Sequence, residues 1–295
     1  MSDEVNRGPS SAQRVLVGVD GSPDALRAVQ YAQGTAERTG ADIWLVHALD
    51  DGVLTGGWGV VYDPTILSQV GEDTLADARR FLVERGFPNQ RVHTEVLMGH
   101  PSAVLADLSE DAEMVVVGRR ASSSVERMFV GSTSVSLAGM ASCPLVVISA
   151  ASTPQPTGEF SRIAVAISKP DRSRHQLRWA LDEARSRQCL LSVVLVVPPP
   201  PKGLRAAFGK NPAPHAAKSK AALEVMLEQL RAEYRDVTIE GEVTNGIPVE
   251  ELIGATAEVD LLVVGVHSHP VTGVTFSGPL RAVLAHSLCP VCLVR

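Results

Sequence analysis

Aromatic residues are scarce in this chain, with six Phe, three Trp and three Tyr among 295 residues. There is no RNP-type run of aromatics and no basic helix, so the stacking platforms of single-strand nucleic-acid binders are not expected. Positive charge is short as well: 27 Lys and Arg stand against 33 Asp and Glu, for a formal net charge of -6. Any nucleic-acid partner would need a local basic patch. No apolar run approaches the roughly 20 residues that span a bilayer. The opening MSDEVNRGPSSAQ has no apolar segment of the kind a secretory signal needs. These absences predict a cytoplasmic protein that engages neither nucleic acid nor membrane. Four cysteines are too few for a disulfide framework at this length. Two of them, Cys289 and Cys292 in LAHSLCPVCLVR, form a C-x-x-C, the spacing of a redox dithiol or half a zinc site. Neither a G-x-S-x-G elbow nor a G-x4-G-K-[ST] loop occurs, so neither a dedicated hydrolase nor a P-loop kinase is indicated.

What is present is an internal repeat. MVVVG at 114–118 recurs as LLVVG at 261–265, an offset of 147 from Gly118 to Gly265. The same offset carries Gly99 onto Gly246 and Gly131 onto Gly278. RVLVGVDGS (14–22) pairs with RIAVAISKP (162–170) at an offset of 148, and SCPLVVI (142–148) pairs with LCPVCLV (288–294) at 146. Between the copies, AASTPQPTGEF (150–160) reads as a linker. The expected organisation is a disordered tail over 1–12, one domain over 13–149, the linker over 150–160 and a second domain over 161–295.

Within the first copy, Val15 to Val19 is a short apolar run suited to a parallel strand covered on both faces. Ser22 can cap the following helix, Pro23 fits its first turn, and Ala25, Val29, Ala32 and Ala36 form a stripe before Gly40 ends it. Strands are expected over 43–48, about 91–97, 114–117 and 145–148. Helices are expected over 67–85, with Val70, Leu75, Ala78 and Leu82 inward, after Pro101, and from Gly131 or Ser132. In the second copy Leu223, Leu227, Leu230 and Tyr234 mark the second helix. The alternation βαβαβαβαβ predicts an α/β fold: two tandem doubly wound domains, each with a five-stranded parallel sheet. Such sheets bind ligands beyond the carboxyl ends of their strands.

The residues at those ends are Asp20, Gly21 and Ser22 after the first strand, and GRRASSSVERMFVGSTS (118–134) after the fourth. Asp20 can accept hydrogen bonds from ribose hydroxyls, hold a metal-bound phosphate, or simply form a turn. Gly118, Gly131 and Ser132 are small residues at a strand end and a helix start, where free N–H groups and the helix dipole suit an anion. This arrangement resembles the universal stress protein family, whose motif G-x-x-G-x9-G-S/T here reads Gly118-Arg119-Arg120-Ala121, nine residues, then Gly131-Ser132. Asp20, LVHA at 45–48, the G-x-P at Gly99 to Pro101 and the C-P before the last strand are similar too.

The resemblance covers both copies and implies an internal pseudo-dimer, with the last strands of the two copies paired. It also implies ATP as the ligand, with Asp20 and Ala48 near the adenosine, Gly118, Gly131 and Ser132 around ribose and phosphates, and Gly21, Ser22, Ala121 and Thr133 in the same site. Magnesium could accompany the nucleotide near Asp20. Ala121 stands where the family has its second Gly. The second copy departs further, with Ser168 for Asp20, Pro198 for Ala48, Ser268 for the second Gly and Pro279 for Ser132. That loses a carboxylate, a hydroxyl and an N–H, and predicts a copy weak or silent for nucleotide.

The resulting expectation is a stress-response regulatory protein that binds adenine nucleotide mainly in its first domain. Two alternatives stand beside it: a nucleotide-free scaffold that presents a surface to a protein partner or a second copy, and a slow adenylate hydrolase. Arg119, Arg120 and Arg127 either pair with phosphate or face solvent. Trp58 in GGWGVVYD either covers an adenine or lines an ordinary loop. Lys202, Arg205, Lys210, Lys218 and Lys220 read as a solvated loop leading into a helix, and His267 with His269 lacks the partners of a metal site. For the C-x-x-C, the repeat sets Cys143 opposite Cys289 and Val146 opposite Cys292. Cys292 thus becomes an apolar strand position, and two residues three apart on a strand face opposite sides, roughly 10 Å apart and too far for a disulfide.

Overall fold

Arg14–Gly18 forms β1, and its alternating side chains divide at once between two cores: Val15 and Val17 on one face, Leu16 on the other. This computed structural model describes residues 13–50, 64–119, 131–149, 151–152, 160–168, 173–199, 213–266 and 278–295. The Ser22 hydroxyl accepts from the Ala25 N–H at 3.1 Å and starts α1 (Pro23–Thr39) with Pro in its first turn. Gly40 closes that helix at φ 79, in the left-handed region that glycine adopts without cost, and donates back to the Ala36 carbonyl. The first half continues with β2 (Asp42–Leu49), α2 (Pro64–Glu84), β3 (Val92–Met98), α3 (Pro101–Leu108), β4 (Met114–Gly118), α4 (Ser132–Met140) and β5 (Leu145–Ile148).

The second half repeats the order: β6 (Arg162–Ile167), α5 (Arg174–Arg187), β7 (Leu190–Val197), α6 (Ala213–Glu233), β8 (Ile239–Asn245), α7 (Pro248–Ala255), β9 (Leu261–Gly265), α8 (Gly278–His286) and β10 (Val291–Val294). Gln188, the repeat counterpart of Gly40, also ends its helix in the left-handed region at φ 54. Copy two therefore keeps the geometry after losing the residue that favours it.

The two sheets join edge to edge. The described strands form a single ten-stranded sheet in the order β3-β2-β1-β4-β5-β10-β9-β6-β7-β8. Every neighbouring pair is parallel except β5 and β10, which run antiparallel with Val291 opposite Val147, Cys292 opposite Val146 and Leu293 opposite Leu145. Val146 and Cys292 are equivalent in the repeat, so the pseudo-two-fold axis passes through their pairing. Each half thereby covers the edge strand the other would leave open. Both cores continue across the join, because Val146, Ile148, Ile163 and Cys292 share one cluster while Val147, Ala164 and Val291 share the other.

The thiols follow the same partition. Cys292 lies in the first core and Cys289 in the second, both buried and unbridged. Burial pushes the Cys289 thiol up to about 12 and that of Cys292 well above the usual range. Their burial on opposite faces of the sheet speaks against the redox and zinc readings of the C-x-x-C. Among the described residues no group of three or more His, Cys, Asp or Glu is placed to hold a metal.

A polar cluster ties α1 to α5 beside this axis. The Arg187 guanidinium donates to the Tyr31 hydroxyl and to the Glu183 carboxylate, each at 2.6 Å, and Arg38 donates to the same carboxylate at 3.3 Å. Burial works against the Arg187 charge, yet Tyr31 and Glu183 hold its pKa above that of an ordinary arginine.

One inward assignment fails. Leu75, Ala78 and Leu82 of α2 are buried, but Val70 is 53% exposed. Its neighbour Gly71 is the point of closest approach, where a Cβ would lie 2.9 Å from the His47 ring and 3.2 Å from Val96. Turning Gly71 to the sheet rotates Val70 outward by about 100°. In α6, Leu223 and Leu227 are buried as expected, and Tyr234 is buried just past the helix end.

Candidate functional site

The strand order reverses between β1, whose chain continues outward to β2, and β4, whose chain continues inward to β5. This switch point is where a doubly wound sheet leaves a crevice at its carboxyl edge. Gly18 lies opposite Val117, so Asp20 and Gly118 leave the sheet at the same end. Beyond β1 the chain stays tied to β2 through the Val19 N–H to the Val46 carbonyl at 2.8 Å, and then turns. The Ser22 N–H donates to Asp20 Oδ1 at 3.0 Å, and Gly21 takes φ +77. Asp20 is therefore a turn former whose carboxylate is nonetheless exposed. Ala48 is half-buried near the end of β2, paired with Leu97 of β3. The preceding residue, His47, has no role in the sequence reading beyond its place in LVHA; its Nδ1 lies 2.7 Å from the Val19 carbonyl and braces the turn.

Gly118 has a packing role whether or not a ligand is bound. A Cβ there would lie 2.5 Å from the Asp24 carbonyl carbon and 2.6 Å from the Ala25 nitrogen. The missing side chain lets the first turn of α1 press directly on the end of β4. Of the two readings of Arg119, that of a solvent-facing loop residue fails. It is 4% exposed and crosses to the second half, where Nη1 donates to the Leu284 carbonyl at 3.2 Å and to that of Ala285. Asp24 faces the same region from the first turn of α1. Its carboxyl is raised above the ordinary carboxylate range by burial, against the pull of Arg27 and Arg119.

α4 connects β4 to β5, so it begins at the carboxyl edge of β4. Gly131 is its N-cap at φ -58, no side chain caps it, and no acidic residue lies in its first turn. Ser132 is exposed and Thr133 half-buried. Among the described residues no side chain takes up the first-turn N–H groups. Ala121, Arg120, Arg127 and the Trp58 segment lie outside the described residues, as do Ser268, His267, His269, Lys202, Arg205 and Lys210. Lys218 and Lys220 are described and exposed on α6.

The corresponding point of the second half is built differently. α5 starts at Arg174, three residues later than the repeat offset from Pro23 would place it. The space against Gly265 is taken by the amide of Gln176, which is 4% exposed and donates to the Ala166 carbonyl at 3.3 Å. Ser168 and Pro198 are exposed, and Pro279 removes an N–H from the first turn of α8.

Comparison with known proteins places this geometry. A universal stress protein of Mycobacterium tuberculosis (strain H37Rv) is 26% identical over 303 residues, covering 97% of this chain and 98% of its own. One from Mycolicibacterium smegmatis is 28% identical over 295 residues, covering 95% and 96%. The crystal structure of a universal stress protein from Archaeoglobus fulgidus shares the fold, with a TM-score of 0.72 at 17% identity over 96% of this chain and 98% of that one. The sequence model of the universal stress protein family matches residues 11–149 and again 159–295, so this chain belongs to that family and carries two of its domains in tandem.

Proposed function

We propose that this protein binds an adenine nucleotide, ATP by the family resemblance, at the β1–β4 switch point of its first half, and acts as a regulatory nucleotide-binding protein of the stress response. The observation that carries the reading is the asymmetry of the two switch points. The first keeps an exposed carboxylate, a glycine turn and an uncapped helix N-terminus. The second has an exposed serine in place of the carboxylate, a proline in the first turn of α8 and a glutamine amide buried against Gly265.

The residues fit the ligand in kind. Asp20 accepts from ribose hydroxyls, Ala48 offers a half-buried apolar surface to the adenosine, and the first turn of α4, with Ser132 and Thr133, supplies donors to phosphate. Gly21, Gly118 and Ala121 complete the set. A magnesium ion would come with the phosphates and use Asp20 at most, as that cation commonly does. Among the described residues no helix is long and apolar enough to cross a membrane. Purification under native conditions followed by denaturation is expected to release adenine nucleotide, and Asp20→Ala or Gly131→Lys to abolish the release. Protein free of nucleotide that shows no calorimetric response at millimolar ATP would refute the proposal. Phosphate release above that of the Gly131→Lys variant would favour the slow-hydrolase reading.

A further inference from the structure

The second half has lost the residues that the first presents to a ligand, yet it meets the residue that follows Gly118. Leu284 and Ala285, whose carbonyls accept from Arg119, belong to the last turn of α8. Helix-end carbonyls lack intrahelical donors and carry the negative end of the helix dipole, so the guanidinium both satisfies and neutralises them. On the other side, Asp24 is 3% exposed. Its Oδ1 takes Arg27, while its Oδ2 and the Nε of Arg119 have no hydrogen-bond partner among the described residues. Attraction between these two groups acts on both of them. Asp24 sits in the turn that Ser22 caps and that packs on Gly118. One side chain thus joins the end of β4, the first turn of α1 and the last turn of α8.

We infer that Arg119 couples occupancy of the Asp20–Gly118 crevice to docking of the second half, which makes the second half a positioning part of the first half's site. The inference rests on the nucleotide reading above. An anion beside Gly118 draws on the same guanidinium charge that Asp24 and the α8 carbonyls share. Ligand and docked α8 therefore hold one cation in one place, and linkage makes the effect reciprocal. The repeat counterpart of Arg119 is Val266. Its N–H bonds the Val294 carbonyl as that of Arg119 bonds Ile148, but its side chain carries no donor. The coupling consequently serves the first half's site alone. Arg295 provides a comparison: its Nη1 donates across the join to the Ala141 carbonyl at 3.3 Å, at the end of α4 away from Gly118.

The test uses the full chain as wild type, Arg119→Met, Arg119→Lys and Arg295→Met. ATP affinity is measured by calorimetry, and hydrogen exchange of residues 283–288 is followed by mass spectrometry with and without ATP. ATP is expected to slow exchange at 283–288 in the wild type. Arg119→Met is expected to weaken ATP about fivefold or more and to erase that slowing, while Arg119→Lys keeps part of both. Arg295→Met is expected to keep both. If wild type and Arg119→Met bind ATP equally, or Arg295→Met weakens ATP as much as Arg119→Met, the coupling is overturned while the nucleotide reading stands. If the wild type binds no ATP, the nucleotide reading fails and takes the coupling with it. Should Arg119→Met fail to fold, ATP binding to the wild type without slowing at 283–288 overturns the coupling.

Discussion

Gly118 and Gly265 occupy equivalent positions in the repeat, and alanine at each is expected to have unequal consequences. At Gly118 a new Cβ would lie 2.5 Å from the Asp24 carbonyl carbon, 2.6 Å from the Ala25 nitrogen and 2.8 Å from the Asp24 oxygen. Ordinary carbon contacts sit at about 3.5–4.0 Å, so β4 and α1 must part by roughly 1 Å. The obstacles are backbone atoms, and no rotamer change relieves them. Overpacking of this kind costs about 1–3 kcal/mol, which at about 2–4 °C per kcal/mol lowers Tm by roughly 2–12 °C. At Gly265 the Cβ would overlap only the tip of the Gln176 side chain. Swinging that amide aside gives up its bond to Ala166, a loss of about 0.5–1.5 kcal/mol. Adding Gly265→Ala to a Gln176→Ala background is expected to cost almost nothing more, a non-additivity that a double-mutant cycle reads directly. Thermal unfolding by circular dichroism at one pH compares the series. Equal losses at the two glycines, or a Gly118→Ala variant within 1 °C of wild type by this measure, would refute the argument that backbone contact sets the difference.

Two other expectations follow from buried groups. Glu183→Ala leaves the Arg38 and Arg187 guanidinium groups facing each other without the carboxylate that both contact. Removing one partner of a buried ion pair costs about 3–5 kcal/mol, and a urea midpoint equivalent to less than about 1 kcal/mol would show the cluster to be solvated. Burial pushes Cys143 and Cys289 up to about 12 and Cys189 up to about 11, and Cys292 higher than its usual range. At pH 8 a thiol reagent should therefore label the folded protein slowly and the denatured protein completely, with Cys189 gaining reactivity first as pH rises. A disulfide mapped to Cys289 and Cys292 in folded protein would contradict their placement on opposite faces.

Signals that act within a few residues were legible in the chain. Ser22, Pro23 and Gly40 announced both ends of α1, because a cap, a first-turn proline and a left-handed stop act through bonds to neighbours at most four positions away. The continuous apolar run from Val15 to Val19 foretold a strand covered on both faces. The repeat did more than mark domains: its offset made Val146 and Cys292 equivalent, and these two face each other across the join. Val70 was misassigned because the apolar stripe does not reveal that a glycine, Gly71, makes the closest contact.

The amino-acid sequence by itself determined the α/β class, the tandem repeat and the family, since periodicity, caps and spacing are local and survive divergence between the two copies. It also named Asp20, Gly118 and Gly131 as strand-end and helix-start residues. Tertiary structure alone decided what those residues touch. Arg119 meets a carbonyl 165 positions away, Gly118 meets the turn that begins α1, and Gln176 fills the place against Gly265 in the second half. Such contacts join elements distant in the chain, and their energetics depend on packing at ångström distances that no local pattern encodes.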